Sequence, residues 1–167
     1  LPRGDPVPGG VALVTLEEGM QESPVVQYDG QPVMVVRDGR AWVAVVGIPL
    51  TAPAGSHSLQ VRYGEKAPRA YPFTVQGKQY AEQRLTVQNK RMVEPNPQDL
   101  KRIEQDSVRI QAALASWSPS NPLQEPFIVP ARGELSSPFG LRRYFNGQPR
   151  KPHSGLDIAA STGTPIH

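Results

Sequence analysis

The sequence contains no cysteine, no long apolar run and no long basic arm, and each absence removes a class of structure or function. Without cysteine, the 167 residues hold no disulfide, no thiolate zinc site and no lipid attached through sulfur. No apolar run approaches the roughly eighteen residues of a membrane span, so no transmembrane segment is predicted. The formal charge of +3 is modest and its basic residues are scattered, so nucleic acid is not an expected partner.

Proline and glycine are plentiful, with 19 and 15 residues, and they indicate many turns between short strands. The hydrophobic content of 38% is that of a soluble protein. The length suffices for one domain and part of a second. We predict a mainly β protein with a β-sandwich domain at residues 1–88, a helical linker at 89–122 and the start of a further domain at 123–167.

Residues 1–88 contain short valine-rich runs, separated by turn signals at the spacing of a β-sandwich. Asp38-Gly39 is the clearest hairpin turn, because it joins one such run to the strand that carries Trp42. We expect an immunoglobulin-like fold with Trp42 and Tyr63 in the core and His57 at the surface. The predicted strands are Val11 to Leu16, Val25 to Tyr28, Pro32 to Val36, Ala41 to Val46, Ser58 to Tyr63, Tyr71 to Val75 and Tyr80 to Val87.

A helix is predicted to begin after Asn96, which suits an N-cap, with Pro97 at the first helical position and Asp99 in the first turn. The predicted helix carries a stripe of apolar residues along one side. Such a stripe usually packs on the helix's own domain, and binding to a partner is the alternative. Ser118-Pro119-Ser120-Asn121-Pro122 is expected to end the helix and to begin the connection to the last segment. The stripe consists of Leu100, Ile103, Ile110, Leu114 and Trp117.

The last segment contains two potential metal ligands, His153 and Asp157, four residues apart. Pro152 and Gly155 disfavour a helix there, and in a straight strand the two Cα atoms would lie about 13 Å apart. Both side chains must come within about 2.1 Å of one zinc ion to bind it. We therefore expect a bend at Ser154-Gly155 that leads into a strand over Leu156 to Ala159. For these two residues alone, the alternative is a surface histidine beside an aspartate that is satisfied in a loop.

The surrounding sequence resembles the opening of the zinc site in the lysostaphin-type (LytM-like) zinc endopeptidases, which cleave peptide bonds in bacterial cell-wall peptidoglycan. The resemblance covers about Pro130 to Ile166. Its elements follow the family order, namely Ser137-Pro138-Phe139-Gly140-x-Arg142, Asn146-Gly147, His153-x-Gly155-x-Asp157-Ile158-Ala159 and Gly163-Thr164-Pro165.

The resemblance implies that His153 and Asp157 bind Zn²⁺, and that a later His-x-His pair supplies a third ligand and the general base. No catalytic base is therefore expected within this chain, and His167 is not expected to bind metal. Three protein ligands leave one position for water, whose pKa zinc lowers to about 7. With two ligands, this chain alone is expected to bind zinc poorly and to be inactive, as the N-terminal part of a zinc endopeptidase and the start of its antiparallel β domain.

Two other functional classes stay open. Some relatives of these peptidases lack metal ligands and act as wall-binding regulators that activate other peptidoglycan hydrolases. A sandwich-type adhesion or carbohydrate-binding protein is a third interpretation, but it leaves the ordered match from Ser137 to Pro165 unexplained. The family implies a periplasmic or secreted protein of the cell envelope with peptidoglycan as its partner. The N-terminal domain, which resembles the sandwich ahead of some of these peptidases, is expected to orient or restrain the peptidase or to bind a regulatory partner.

Arg142, Tyr144 and Asn146 are the candidate cleft or substrate-binding residues beside the metal ligands. Tyr144 and its neighbour Phe145 could line a cleft or anchor a loop. A basic cluster in the same segment could attract an anionic wall polymer or form an ordinary solvated loop. This cluster consists of Arg142, Arg143, Arg150 and Lys151.

Overall fold

The computed structural model describes residues 1–89, 91, 93–118 and 127–167. In that part the chain is mainly β, with small sheets and a single α-helix. It divides into two compact units. The first comprises Leu1–Gln79, residues 127–132 and Ala160–His167, and the second comprises the described part of residues 80–118 and Gly133–Ala159. The described part contains no helix of the length and apolarity that crossing a membrane requires.

The first unit contains two antiparallel sheets, with the strand orders β1-β5-β4 and β3-β2-β6-β7. We refer to this pair of sheets as the sandwich. Its strands are β1 (Val11–Glu18), β2 (Val25–Tyr28), β3 (Gln31–Pro32), β4 (Met34–Asp38), β5 (Ala41–Gly47), β6 (Gly55–Arg62) and β7 (Arg69–Val75).

Residues from both sheets share one hydrophobic core. Val46 on β5 and Leu59 on β6 are fully buried, and β1, β2 and β7 add further apolar side chains. Burial of apolar surface stabilises a fold by about 25 cal/mol per Å², so this common core holds the two sheets together. Tyr63 lies in the core as predicted. Trp42 is half-buried against the core and donates its Nε1–H to the carbonyl oxygen of Met20 at 3.0 Å.

The predicted hairpin at Asp38-Gly39 joins β4 to β5. Gly39 has φ +58° and is the first residue of a two-residue loop, the position that a type II′ turn reserves for glycine. The single strand predicted from Pro32 to Val36 is wrong, because β3 and β4 belong to different sheets. Pro32 has no N–H for a ladder, and the chain passes from one sheet to the other at Val33.

His57 was predicted at the surface, but it is half-buried. β6 places it opposite Phe73 on β7, and the rings of His57, Phe73 and Tyr28 lie within 6 Å of one another. The Tyr28 hydroxyl is 2.8 Å from His57 Nδ1, and Nε2 is 2.9 Å from the carbonyl oxygen of Pro53. Because that carbonyl only accepts, Nε2 carries the hydrogen and Nδ1 accepts from the tyrosine.

The strands of the second unit form two small sheets, with the orders β11-β10-β8 and β12-β9. The run predicted at Tyr80 to Val87 is present as β8, but its place in the sandwich is wrong, because β8 pairs in parallel with β10. Its charged and amide side chains give it little apolar surface to bury in the sandwich core. The predicted domain limits stay a prediction. The strands are β8 (Glu82–Leu85), β9 (Glu134–Ser137), β10 (Arg142–Phe145), β11 (Gln148–Pro149) and β12 (Asp157–Ala159).

The helix α1 (Pro97–Leu114) begins as its sequence predicts. The Asn96 side-chain oxygen accepts a hydrogen bond from the Asp99 N–H at 2.8 Å. Two hydrogen bonds of 2.6 and 2.7 Å from Arg91 reach the Asp99 carboxylate and lower the pKa of that group. The start of the helix is thus fixed by local polar contacts.

The apolar stripe of α1 is not packed on its own domain within the described part of the chain. No residue of α1 is buried, and 80% of Leu114 is exposed. The prediction that the stripe contributes to its own domain is therefore wrong for the described residues, because no described strand packs extensively against the helix. Of the connection predicted at Ser118 to Pro122, all but Ser118 lies outside the described residues.

Candidate metal centre

Two strands and a turn of the second unit bring His153 and Asp157 together. β12 pairs antiparallel with β9, and Asp157 lies opposite Ser137. The chain bends at Gly155 and β12 begins at Asp157, so the predicted bend and strand are both present. A straight strand would have kept the two side chains apart, and the bend removes that separation.

The turn after β9 holds the main chain of His153. Gly140 donates its N–H to the His153 carbonyl oxygen at 2.7 Å, and His153 donates its own N–H to the Leu141 carbonyl oxygen at 3.0 Å. Gly140 has φ +81°, and a Cβ there would lie 2.1 Å from the Tyr80 ring. Glycine is therefore required at the residue that fixes this end of the site.

The two side chains lie in contact. His153 Nε2 is 3.1 Å from Asp157 Oδ1, and the side chains are 20% and 53% exposed, respectively. We refer to them as the metal pair. A separation of this size allows both atoms to lie about 2.1 Å from a single ion. The rest of the Asp157 side chain is open to solvent.

The other nitrogen of His153 decides how the ring can be used. Nδ1 is 3.1 Å from the Pro138 carbonyl oxygen and 3.2 Å from Ser137 Oγ. Because a carbonyl oxygen only accepts, we assign a hydrogen to Nδ1. Nε2 then faces a carboxylate, which when ionised also only accepts. The contact between Nε2 and Oδ1 is therefore favourable only when a second proton or a cation lies between the two atoms.

The metal pair fits part of a zinc site. An imidazole nitrogen and a carboxylate oxygen are both zinc ligands, and a neutral ring with its hydrogen on Nδ1 presents Nε2 to an ion. Among the residues that the structure describes, no three His, Cys, Asp or Glu side chains are grouped to hold a metal ion. The pair therefore offers two donors, one fewer than the three protein ligands that a catalytic zinc ion usually has.

The structure places the three candidate cleft residues at the β8–β10 pairing. The Arg142 side chain is exposed, and the Tyr144 hydroxyl donates to Glu82 at 3.3 Å. Asn146 has φ +50°, and its side-chain amide makes two hydrogen bonds with the main chain of Val87, at 2.9 and 3.0 Å. Among the described residues, none of the three candidates hydrogen-bonds to the metal pair.

The basic cluster divides into two anchored and two exposed residues. Arg143 bonds to Gln83 and Ser137, while Arg150 donates to the Val93 carbonyl oxygen and lies over the Phe145 ring. Arg142 and Lys151 are exposed. Two of the four basic side chains, Arg142 and Lys151, are therefore exposed and available to an anionic polymer.

Sequence reasoning assigned no role to the side chain of Ser137, and it placed Arg143 only in the basic cluster. The structure brings both to His153, through a hydrogen bond of 2.8 Å from Arg143 Nη2 to Ser137 Oγ. The available signal was the position of Ser137 at the head of the Ser-Pro-Phe-Gly motif. The motif alone did not show that Ser137 contacts His153, because that contact depends on the pairing of β9 with β12.

Comparison with known proteins found one matching family profile and a similar solved structure. Residues 4–78 match the sequence profile of the peptidase family M23 N-terminal domain. A crystal structure of a Pseudomonas aeruginosa protein assigned to peptidase M23 is similar to 98% of this chain, at 41% sequence identity and a TM-score of 0.72. The match covers 59% of that protein's chain, so the present chain spans little more than half of its relative's length. No curated protein matches the sequence significantly.

Both comparisons support the family that the sequence predicts, the lysostaphin-type, LytM-like peptidases. The profile match lies within the first unit, and the similarity to the solved structure also extends over the segment that carries the metal pair.

Proposed function

We propose that this chain supplies two ligands, His153 and Asp157, to the zinc site of an endopeptidase that hydrolyses peptide bonds in bacterial cell-wall peptidoglycan. The observation that carries the proposal is the distance of 3.1 Å between His153 Nε2 and Asp157 Oδ1. Both atoms present lone pairs to each other, so a proton or a cation between them would stabilise the contact. The family resemblance supports the reaction class. The proposed location is the periplasm or the outside of the cell, at the envelope.

Each residue has a defined task in this proposal. A bound zinc ion would polarise the scissile carbonyl and lower the pKa of a water molecule to about 7. His153 would bind through Nε2 while Nδ1–H stays on the Pro138 carbonyl oxygen. Asp157 would add one negative charge to the ligand set. The exposed Arg142 and Lys151 would attract an anionic wall polymer to this side of the unit.

We also propose that the sandwich is an immunoglobulin-like module that orients the peptidase or binds a regulatory partner. Its strand order supports this, since β1-β5-β4 corresponds to strands B, E and D of an immunoglobulin domain. Likewise β3-β2-β6-β7 corresponds to C′, C, F and G. Strand A has no counterpart in these two sheets.

The proposal is tested with the complete protein on purified peptidoglycan, with released fragments identified by mass spectrometry. We expect hydrolysis that stops with a zinc chelator and in Asp157→Ala, and that continues in Asp106→Ala, a control carboxylate on the exposed helix. Hydrolysis by Asp157→Ala at the wild-type rate would refute the site. If the wild type releases no fragment but stimulates a second hydrolase, the protein is the non-catalytic regulator instead.

A further inference from the structure

Ser137 is the one buried polar or charged residue in the described part of the chain, with 2% of its surface exposed. Its hydroxyl lies between His153 Nδ1 and the guanidinium of Arg143. We infer that Ser137 and Arg143 are positioning residues, which hold the His153 ring so that Nε2 faces Asp157 and an incoming metal ion. This inference rests on the proposed function, in which His153 is a metal ligand.

The guanidinium of Arg143 is fixed at two points. The parallel pairing of β10 with β8 places Arg143 opposite Gln83, and Arg143 Nε donates to Gln83 Oε1 at 3.1 Å. Nη2 of the same group donates to Ser137 Oγ at 2.8 Å. Because the guanidinium is planar and rigid, two anchors determine where its remaining donors point. A lysine, which carries a single ammonium group, cannot reproduce this fork.

The hydrogen-bonding capacity of Ser137 then favours one arrangement at His153. A serine hydroxyl has two lone pairs and one hydrogen, and a guanidinium can only donate. Arg143 therefore occupies one lone pair, and the other is available to the hydrogen on His153 Nδ1. Ser137 Oγ and the Pro138 carbonyl oxygen, at 3.2 and 3.1 Å, share that hydrogen and restrain the ring on one side.

Partners of this kind set the tautomer and orientation of metal-binding histidines, and losing one typically weakens metal affinity by about 10- to 100-fold. The hydroxyl of Ser137 is well placed for that role because it is buried, and water cannot easily replace it. A purely structural serine would affect stability but would leave the tautomer of His153 unchanged.

The test measures two properties of the full chain, the nitrogen chemical shifts of the His153 ring and the dissociation constant for Zn²⁺. Both are followed by NMR at one alkaline pH in wild type, Ser137→Ala, Ser137→Thr and Arg143→Met. Ser154→Ala is the matched control, because Ser154 is exposed and adjacent to His153. Circular dichroism and thermal unfolding establish that each variant is folded.

We expect the wild-type ring to carry its hydrogen on Nδ1. Ser137→Ala should lower that fraction and weaken zinc binding about 10- to 100-fold. Arg143→Met should change both in the same direction by less, since it acts through the serine, and Ser137→Thr should restore much of both because it keeps the hydroxyl. Ser154→Ala should match the wild type.

Folded Ser137→Ala and Arg143→Met proteins with wild-type ring shifts and wild-type zinc affinity would overturn the inference. If neither this chain nor the complete protein binds zinc at His153, the proposed function is removed. In that case the ring shifts alone decide the positioning role, and unchanged shifts in Ser137→Ala reject it. The two failures therefore give different data.

Discussion

The two units of the described chain are stabilised in different ways. Apart from Val93 and Leu141, every buried hydrophobic residue lies in the first unit, where two sheets share one core. The strands of the second unit carry many exposed polar residues and are joined by main-chain pairing and by bonds such as Arg143 to Gln83. Burial defines the sandwich, whereas directional polar contacts define the candidate site.

His57 in the first unit and His153 in the second unit illustrate the same difference. His57 in the sandwich has one partner that donates, the Tyr28 hydroxyl, and one that accepts, the Pro53 carbonyl, so a neutral ring is fully satisfied. His153 has the Pro138 carbonyl on one side and the Asp157 carboxylate on the other. Both of these groups accept hydrogen bonds. With its hydrogen on Nδ1, a neutral His153 ring presents only a lone pair at Nε2 to the carboxylate, and a metal ion can bind there. A histidine's partners thus separate a structural ring from a candidate ligand.

The largest expected effect compares two leucines, one in each unit. Leu59 is fully buried on β6, and Leu135 on β9 is 68% exposed. Leu59→Ala removes buried methyl groups and leaves a cavity, so it should lower the free energy of unfolding of the sandwich by about 2–5 kcal/mol. Leu135→Ala should change stability by less than about 0.5 kcal/mol. Denaturant unfolding followed by far-ultraviolet circular dichroism, which reports on both units, measures both.

Equal losses of stability in the two leucine variants would break the contrast between the units. A small loss in both would mean that the core of the sandwich relaxes around Leu59, and a large loss in both would mean that Leu135 is covered in solution.

A smaller effect is expected at the start of α1, where polar contacts replace burial. Asn96→Ala removes the side chain that accepts from Asp99, and it should destabilise the helix by about 1 kcal/mol. Amide hydrogen exchange in the first two turns should rise, while exchange in the sandwich should stay unchanged. Gln98→Ala, an exposed substitution in the same turn, is the control, and equal exchange in the two variants would rule out the capping role.

The last expected effect concerns the stability of the sandwich at alkaline pH. Burial, the hydrogen bond with Tyr63 and the nearby Glu17 raise the pKa of Tyr71 from 10.0 to about 12. The folded state therefore retains this proton after the unfolded state has lost it, and stability decreases between about pH 10 and pH 12. Tyr71→Phe should make stability less dependent on pH in that window. An unchanged slope, measured by denaturant unfolding across the window, would contradict the pKa.

Local signals in the sequence predicted most elements of the fold. The turn at Asp38-Gly39, the cap at Asn96 and the bend before Asp157 depend on a few adjacent residues, and all three are present. The misplaced features depend on distant partners. The residues of β8 predict a strand but do not name its partner, and only the pairing with β10 assigns it to the second unit. The stripe of α1 is amphipathic in sequence, but periodicity does not reveal whether another element covers it.

The candidate site shows the same limit. His153 and Asp157 could be chosen from their residue types and spacing, because the chemistry of metal ligands is local. Ser137 lies sixteen positions before His153, and its hydroxyl reaches the ring only because β9 and β12 pair in the observed register. Arg143 was visible as part of a basic cluster, but its bond to a buried serine was not. Partners of ligands are therefore harder to predict than the ligands.

The most direct test of the account is a Zn²⁺ titration of this chain by isothermal calorimetry, with His153→Ala, Asp157→Ala and His57→Ala beside the wild type. We expect weak binding of one ion to the wild type and to His57→Ala, because two ligands are in place and the sandwich histidine is already satisfied. Binding should be lost in His153→Ala and Asp157→Ala. Zinc binding that survives both of those substitutions, or that disappears with His57→Ala alone, would contradict the assignment of the metal pair.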